Sequence, residues 1–214
     1  TIDPVIAPLA EKVQCSFDQD CDPVAIDLSA SATDDCTPVG ELVWAYTIRK
    51  QSDNSIVKVG NTNNGSGLYP IGKYSINYIV TDRCGNSSSK TQLFEIRNCK
   101  PPTAYCIFGL ATTLVPMDID SNGTPDVAMA RMTAKQFDAG SYHSCGYPVK
   151  VSFSSNVNDT VLILTCADRP RKLVRLYATD INGNQSFCET FVDVLNGAGN
   201  LCPALINLTM KGNI

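Results

Sequence analysis

One stretch of this 214-residue chain occurs twice. Val80-Thr-Asp-Arg-Cys-Gly-Asn-Ser-Ser-Ser-Lys-Thr-Gln-Leu-Phe-Glu-Ile96 aligns without a gap to Ala178-Thr-Asp-Ile-Asn-Gly-Asn-Gln-Ser-Phe-Cys-Glu-Thr-Phe-Val-Asp-Val194 at a constant offset of 98. Two copies of one segment obey one set of local rules, so the repeat fixes the kind of unit the chain is built from. The alternation agrees as well as the letters do. Ile76, Tyr78 and Val80 share a face, as do Val174, Leu176 and Ala178, and Phe94 and Ile96 match Val192 and Val194. A period of two describes a strand with one buried face. Each unit therefore ends in a β-hairpin whose Thr-Asp…Gly-Asn turn uses Gly for a positive φ, with Asp and Asn bonding the loop backbone.

Short strands fill the rest. Ala25–Ala32, Leu42–Lys50, Ile56–Val59, Lys73–Thr81 and Lys90–Arg97 are expected in the first unit, and Tyr105–Val115, Val149–Ser154, Val161–Thr165, Lys172–Thr179 and Glu189–Leu195 in the second, separated by Asp/Asn/Gly/Pro clusters. The expected fold class is all-β: two tandem antiparallel β-sandwiches of immunoglobulin-like type, stapled by disulfides. Asn98-Cys-Lys-Pro-Pro-Thr103 marks the boundary, since consecutive prolines cannot enter a ladder and stiffen a junction. The domains are thus residues 1–98 and 99–202, and 203–214 hold one further strand, Ala204–Met210, either the start of a next domain or a strand given to a neighbour.

Ten cysteines set the compartment. None forms a CxxC pair, which removes zinc-ribbon and thioredoxin-type readings, and an even count in a loop-rich chain reads as disulfides formed outside the cytosol. Acidic residues outnumber basic ones 21 to 17 with no Lys/Arg run, so neither nucleic acid nor an anionic membrane is an expected partner. No apolar span reaches the length of a membrane helix. The Thr-Ile-Asp-Pro start does not resemble a signal peptide, so exported material is expected to be a processed product or part of something longer.

Loop placement suggests the bonds. Cys36, in Asp-Asp-Cys-Thr-Pro, and Cys84, in the last hairpin turn, emerge at one end of a sandwich and are paired here. In the second unit Cys106–Cys188, tying the first strand to the last, and Cys145–Cys166 are favoured, with a local Cys15–Cys21 clip in the first; Cys99 and Cys202 are left unassigned.

Met117-Asp-Ile-Asp-Ser-Asn-Gly-Thr-Pro-Asp126 places Asp118, Asp120, Asn122, the Thr124 carbonyl and Asp126 at positions 1, 3, 5, 7 and 9 of an EF-hand-type loop, with Gly123 at the sharp turn. Calcium is the cofactor this pattern admits. Met129 stands where that loop has Glu, and an Asx-rich turn wants the same letters for backbone reasons. Asp34-Asp35 and Asp18/Asp20/Asp22 read as solvated loop acids rather than paired catalytic carboxylates or a second cation cluster.

Catalytic residues are not expected. The single histidine, His143, sits in a loop and reads as a surface residue, and no phosphate-cradling glycine loop, HExxH or GxSxG is present. Trp44 shares a face with Leu42, Tyr46 and Ile48 and reads as core, which leaves the loop residues Tyr142 and Tyr147 as the better binding candidates. Six Asn-x-Ser/Thr sequons, starting at Asn64, Asn86, Asn122, Asn158, Asn184 and Asn207, mark exposed loops more than glycosylation in a chain this rich in Asn, Ser and Thr.

Ala32-Thr-Asp-Asp-Cys36 together with Tyr78-Ile-Val-Thr-Asp-Arg-Cys-Gly-Asn86 resembles the HYR/immunoglobulin-like repeats of very large secreted bacterial surface proteins and adhesins. The second unit, through Met117–Asp126, Phe137-Asp-Ala-Gly-Ser141 and Thr179–Thr190, resembles a Bacteroidetes-type variant of them. The resemblance implies a non-enzymatic module of an extracellular cell-surface fibre or adhesin, with neighbouring copies or domains of the same fibre, or a surface glycan or protein receptor, as partners. The alternative is a carbohydrate- or protein-binding accessory domain of a secreted enzyme. A solvent-facing aromatic row in one sheet favours that alternative, and polar faces with contacts between successive copies favour the fibre.

Overall fold

The computed structural model describes residues 2–197 and Cys202. The chain divides into two compact units, 1–100 and 101–214. The strand expected at Ala204–Met210 lies outside the described residues.

Unit 1 contains β1 (Val5–Ile6), β2 (Lys12–Ser16), β3 (Val24–Ile26), β4 (Ala32–Thr33), β5 (Val43–Lys50), β6 (Ile56–Gly60), β7 (Gly67–Tyr69), β8 (Gly72–Thr81) and β9 (Ser87–Asn98). One layer is the sheet β2-β9-β8-β5-β6; the pairs β1-β4 and β3-β7 make up the other. Alternation dictates what meets between them. Tyr46, Ile48, Ile76, Tyr78, Val80, Phe94 and Ile96 point inward from the large sheet onto Ile6, Ile26, Leu28, Ala30 and Ala32. Ile48, Ile76 and Val80 are wholly buried, each contributing roughly 1.5–3 kcal/mol of apolar transfer. Trp44 packs edge-on against Tyr78 at 6.3 Å at the margin of this core. The layers approach so closely at Gly65 that a Cβ there would stand 2.4 Å from Ile76 Cδ1, and the Tyr69 hydroxyl donates to the Gly65 carbonyl at 2.5 Å.

Unit 2 contains β10 (Leu110–Thr113), β11 (Val115–Met117), β12 (Val127–Thr133), helix α1 (Ala134–Phe137), β13 (Lys150–Ser152), β14 (Val161–Thr165), β15 (Arg171–Thr179) and β16 (Gln185–Leu195). The sheets β10-β16-β15-β13 and β11-β12-β14 face each other over Leu114, Ala128, Ala130, Met132, Leu164, Val174, Leu176, Val192 and Val194.

The sequence repeat is a structural repeat, register for register. Lys12 lies opposite Phe94 in the parallel pair β2/β9, and Leu110 lies opposite Val192 in the parallel pair β10/β16, both shifted by 98 residues. The closing turns are alike as well. Asp82 Oδ1 accepts from the Cys84 and Asn86 amides at 2.9 and 2.7 Å, while Asp180 Oδ1 accepts from those of Asn182 and Asn184 at 2.8 and 2.9 Å. Gly85 and Gly183 supply φ of 90° and 85°. Both units are immunoglobulin-like β-sandwiches, as their alternation and turns lead one to expect.

Several expectations are corrected. Ala25–Ala32 is not one strand: it breaks between β3 and β4, with Ser29 bridging Asn64. Tyr105–Val115 divides because the chain leaves one sheet after β10 and enters the other at β11, pivoting on the buried Leu114. Strands β1, β2, β7 and β12 and helix α1 add to the expected set.

Disulfides join Cys15 to Cys99, Cys106 to Cys188 and Cys166 to Cys202. Cys106–Cys188 is the pair expected to tie the first strand of the second unit to the last. The Cys15–Cys21 clip is not formed, because the parallel pairing of β2 sets Cys15 opposite Arg97 and brings it to Cys99, 5.4 Å away between Cα atoms. Cys145–Cys166 is not formed either, since Cys166, just past β14, meets Cys202 at 5.3 Å. Cys36 and Cys84 are exposed free thiols, so the bond expected between them is open.

Candidate functional site

Two features of unit 2 stand out from the scaffold. The first is the β11–β12 hairpin loop. Met117 pairs with Val127, and the Asp126 amide donates to the Met117 carbonyl at 3.0 Å, so the ends of the loop are pinned. Within it Asp118 accepts from the Gly123 and Asn122 amides at 2.7 and 3.2 Å, Asp120 from the Asn122 amide at 3.2 Å, and Asp126 from the Ile119 amide at 3.1 Å. Positive φ at Ser121 and Gly123 turns the chain inside these bonds. The amide of Gly123 foremost holds the Asp118 carboxyl below its ordinary range.

As a result one carboxylate oxygen each from Asp118, Asp120 and Asp126 falls within 4.8 Å of the others, all on exposed residues. Asn122 and Thr124 are turned toward each other instead, the Asn122 Oδ1 accepting from the Thr124 amide at 2.8 Å. Met129 pairs with Val115 inside the sheet and supplies no ligand. Three hard oxygens at this spacing suit a divalent cation held with water.

The second feature is the outer face of β15 and β16. Four cross-strand rows, Arg171/Asp193, Leu173/Phe191, Arg175/Glu189 and Tyr177/Phe187, point away from the core. Arg171 Nε lies 2.6 Å from Asp193 Oδ1 and Arg175 Nη2 lies 2.6 Å from Glu189 Oε1, so each arginine is neutralised by its neighbour. That pairing raises both guanidinium pKa values and lowers that of Asp193. The same guanidinium groups lie 3.7 Å from the Phe191 ring centre and 4.4 Å from that of Phe187. Phe108 stands edge-on to Phe191 at 5.1 Å. Phe108 and Leu173 are each 79% exposed.

Unit 1 serves as an internal control. The equivalent rows of β8 and β9 are Lys73/Glu95, Ser75/Leu93, Asn77/Thr91 and Ile79/Ser89. One scaffold in one register thus carries a face without aromatics in the first unit, where Leu93 and Ile79 stand exposed among polar residues, and an aromatic–arginine face in the second. The fold itself does not demand the aromatics.

His143 is buried rather than exposed, which corrects the surface reading. Its Nδ1 accepts from the Cys145 amide at 3.0 Å, and its Nε2 lies 3.6 Å from Asp180 Oδ2 in the closing turn. The ring joins the Cys145 loop to that turn, a structural task. Tyr142 stacks on Tyr105 at 6.0 Å, both exposed, whereas Tyr147 packs edge-on against His143 at 5.2 Å. Among the described residues, no helix is long and apolar enough to cross a membrane.

No family model matches the chain, and no curated protein matches it in sequence. Solved structures to which it is similar include Sidekick-1 immunoglobulin domains 1-4, at 13% identity over 90% of this chain and 49% of that one, with a TM-score of 0.49. Also similar are the complex of Dpr11 IG1 with DIP-gamma IG+IG2 (11% identity, 91% of this chain and 100% of that one, TM-score 0.45) and the protocadherin gammaB7 EC3-6 cis-dimer (15%, 90% and 48%, TM-score 0.39). The chain spans about half the length of the Sidekick-1 chain.

Proposed function

We propose that this chain is a non-enzymatic structural module of an extracellular cell-surface fibre or adhesin, of the kind formed by tandem HYR/immunoglobulin-like repeats of secreted bacterial surface proteins. The observation that carries the reading is where the covalent bonds lie. Cys15–Cys99 spans 84 residues of unit 1 and Cys106–Cys188 spans 82 of unit 2. A pull on the two ends of the chain therefore passes, in each unit, through a sulfur–sulfur bond between neighbouring segments of one sheet and bypasses the folded residues between. Such bridges suit a spacer that must reach without yielding. Disulfides of this kind also require an oxidising location.

The β15–β16 face supports attachment through that module. Because guanidinium groups cover the Phe187 and Phe191 rings, stacking of a neutral sugar there is hindered, and the face suits a protein surface or a neighbouring copy better. Calcium held by Asp118, Asp120 and Asp126 would brace the β11–β12 hairpin.

Labelling intact producing cells with an antibody to this chain tests the location. Surface label that is removed by external protease is expected; chain recovered only from the cytosol with all ten cysteines reduced would refute the reading. The second reading, a carbohydrate-binding accessory domain, is favoured by the aromatic row itself. Retardation by a soluble polysaccharide that is lost in Phe187→Ala and Phe108→Ala would select it.

A further inference from the structure

The two free thiols are neighbours in the fold although 48 residues separate them in sequence. The Arg83 amide, next to Cys84, donates to Thr37 Oγ1, next to Cys36, at 3.3 Å. The Arg83 guanidinium also pairs with Glu41 on the far side of the same loop. Each cysteine sits in a tight Asx turn: Asp34 Oδ1 accepts from the Cys36 amide at 3.1 Å and Asp82 Oδ1 from the Cys84 amide at 2.9 Å. Both are exposed, at the end of unit 1 where β5 begins and β8 meets β9. That end is opposite the one clamped by Cys15–Cys99.

We propose that Cys36 and Cys84 form an oxidisable thiol pair, a latch that closes the Asp34–Glu41 loop onto the β8–β9 turn by exchange with a small-molecule or oxidoreductase disulfide. The exchange has two steps. The thiolate of one cysteine attacks one sulfur of the oxidant, forming a mixed disulfide and releasing one equivalent of thiol. The other cysteine then attacks that protein sulfur, the Cys36–Cys84 bond forms, and the second thiol leaves; two protein thiols are oxidised and one oxidant disulfide is reduced.

The test is a thiol titration of the intact chain before and after oxidised glutathione, with non-reducing peptide mapping. The proposal expects two reactive thiols before and none after, release of two glutathione thiols, a single peptide linking Cys36 with Cys84, and a melting temperature raised by about 5 °C or more. A chain that is isolated with that link closed, and in which mild reductant does not open it ahead of the other disulfides, would make the pair a permanent bond and overturn the latch. In Cys36→Ser and in Cys84→Ser a mixed glutathione disulfide should accumulate on the cysteine that remains. Wild-type protein that ends with glutathione on both cysteines, or cross-linked to a second chain through either, would overturn the latch.

Discussion

At the scale of single residues, the account rests on side chains that satisfy backbone. Asp82 and Asp180 each close a hairpin by accepting two amides, and their positions were legible because Asp, Gly and Asn recur at a fixed offset. Hydrogen bonds led by that from Asn86 keep the Asp82 carboxyl below its ordinary range. A depressed folded pKa means stability present above the unfolded value, near 4, and lost as pH falls through the folded value. Asp82→Asn should therefore flatten the acid limb of the stability–pH profile in chemical denaturation. At the other extreme, burial pushes Tyr69 and Tyr78 up to about 12. Here the neutral form is favoured in the fold, so the contribution is intact below pH 10 and declines between 10 and 12. Tyr78→Phe removes one of two donors to the Leu28 carbonyl, the Gly65 amide remaining at 2.8 Å, and is expected to cost about 0.5–1.5 kcal/mol at neutral pH.

His143 was misread at this scale. Its loop of Gly, Ser and Tyr looks exposed, and nothing local reveals that Asp180, far along the chain, will lie against its ring. The bonds Cys15–Cys99 and Cys166–Cys202 were illegible for the same reason, since each depends on a strand or loop partner distant in sequence.

At the scale of elements, strands with alternating large apolar residues were found and the others were not. Strand β12 buries only Ala128, Ala130 and Met132 on its inner face, residues with weak strand preference. The capping box that starts α1, Thr133 with Gln136, was visible in the letters, but a four-residue helix has no periodicity to announce it. The β11–β12 loop yields a direct prediction. Millimolar calcium should raise the melting temperature, a chelator should reverse the rise, and Asp118→Asn or Asp120→Asn should abolish it. On the β15–β16 face, Leu173→Ser and Phe187→Ser install the residues that unit 1 carries at the equivalent positions, Ser75 and Ser89. Each should change stability by no more than about 0.5 kcal/mol while weakening attachment to a partner. Losses of several kcal/mol would make the aromatics part of the scaffold after all.

At the scale of the whole molecule, one brick is used twice and each copy is crossed by a long-range bond. Replacing both Cys106 and Cys188 with Ser should cost about 4–5 kcal/mol of stability in the chain-entropy account of an 82-residue loop. More tellingly, the bonds decide what the chain does under load, and stretching single molecules from their two ends measures this. With disulfides intact, no release of folded length beyond the short unclamped segments is expected. With disulfides reduced, two steps of about 280–300 Å should appear, the extended length of the 84 and 82 residues set free. Steps of that size in the oxidised chain would contradict the claim that force bypasses the sandwiches.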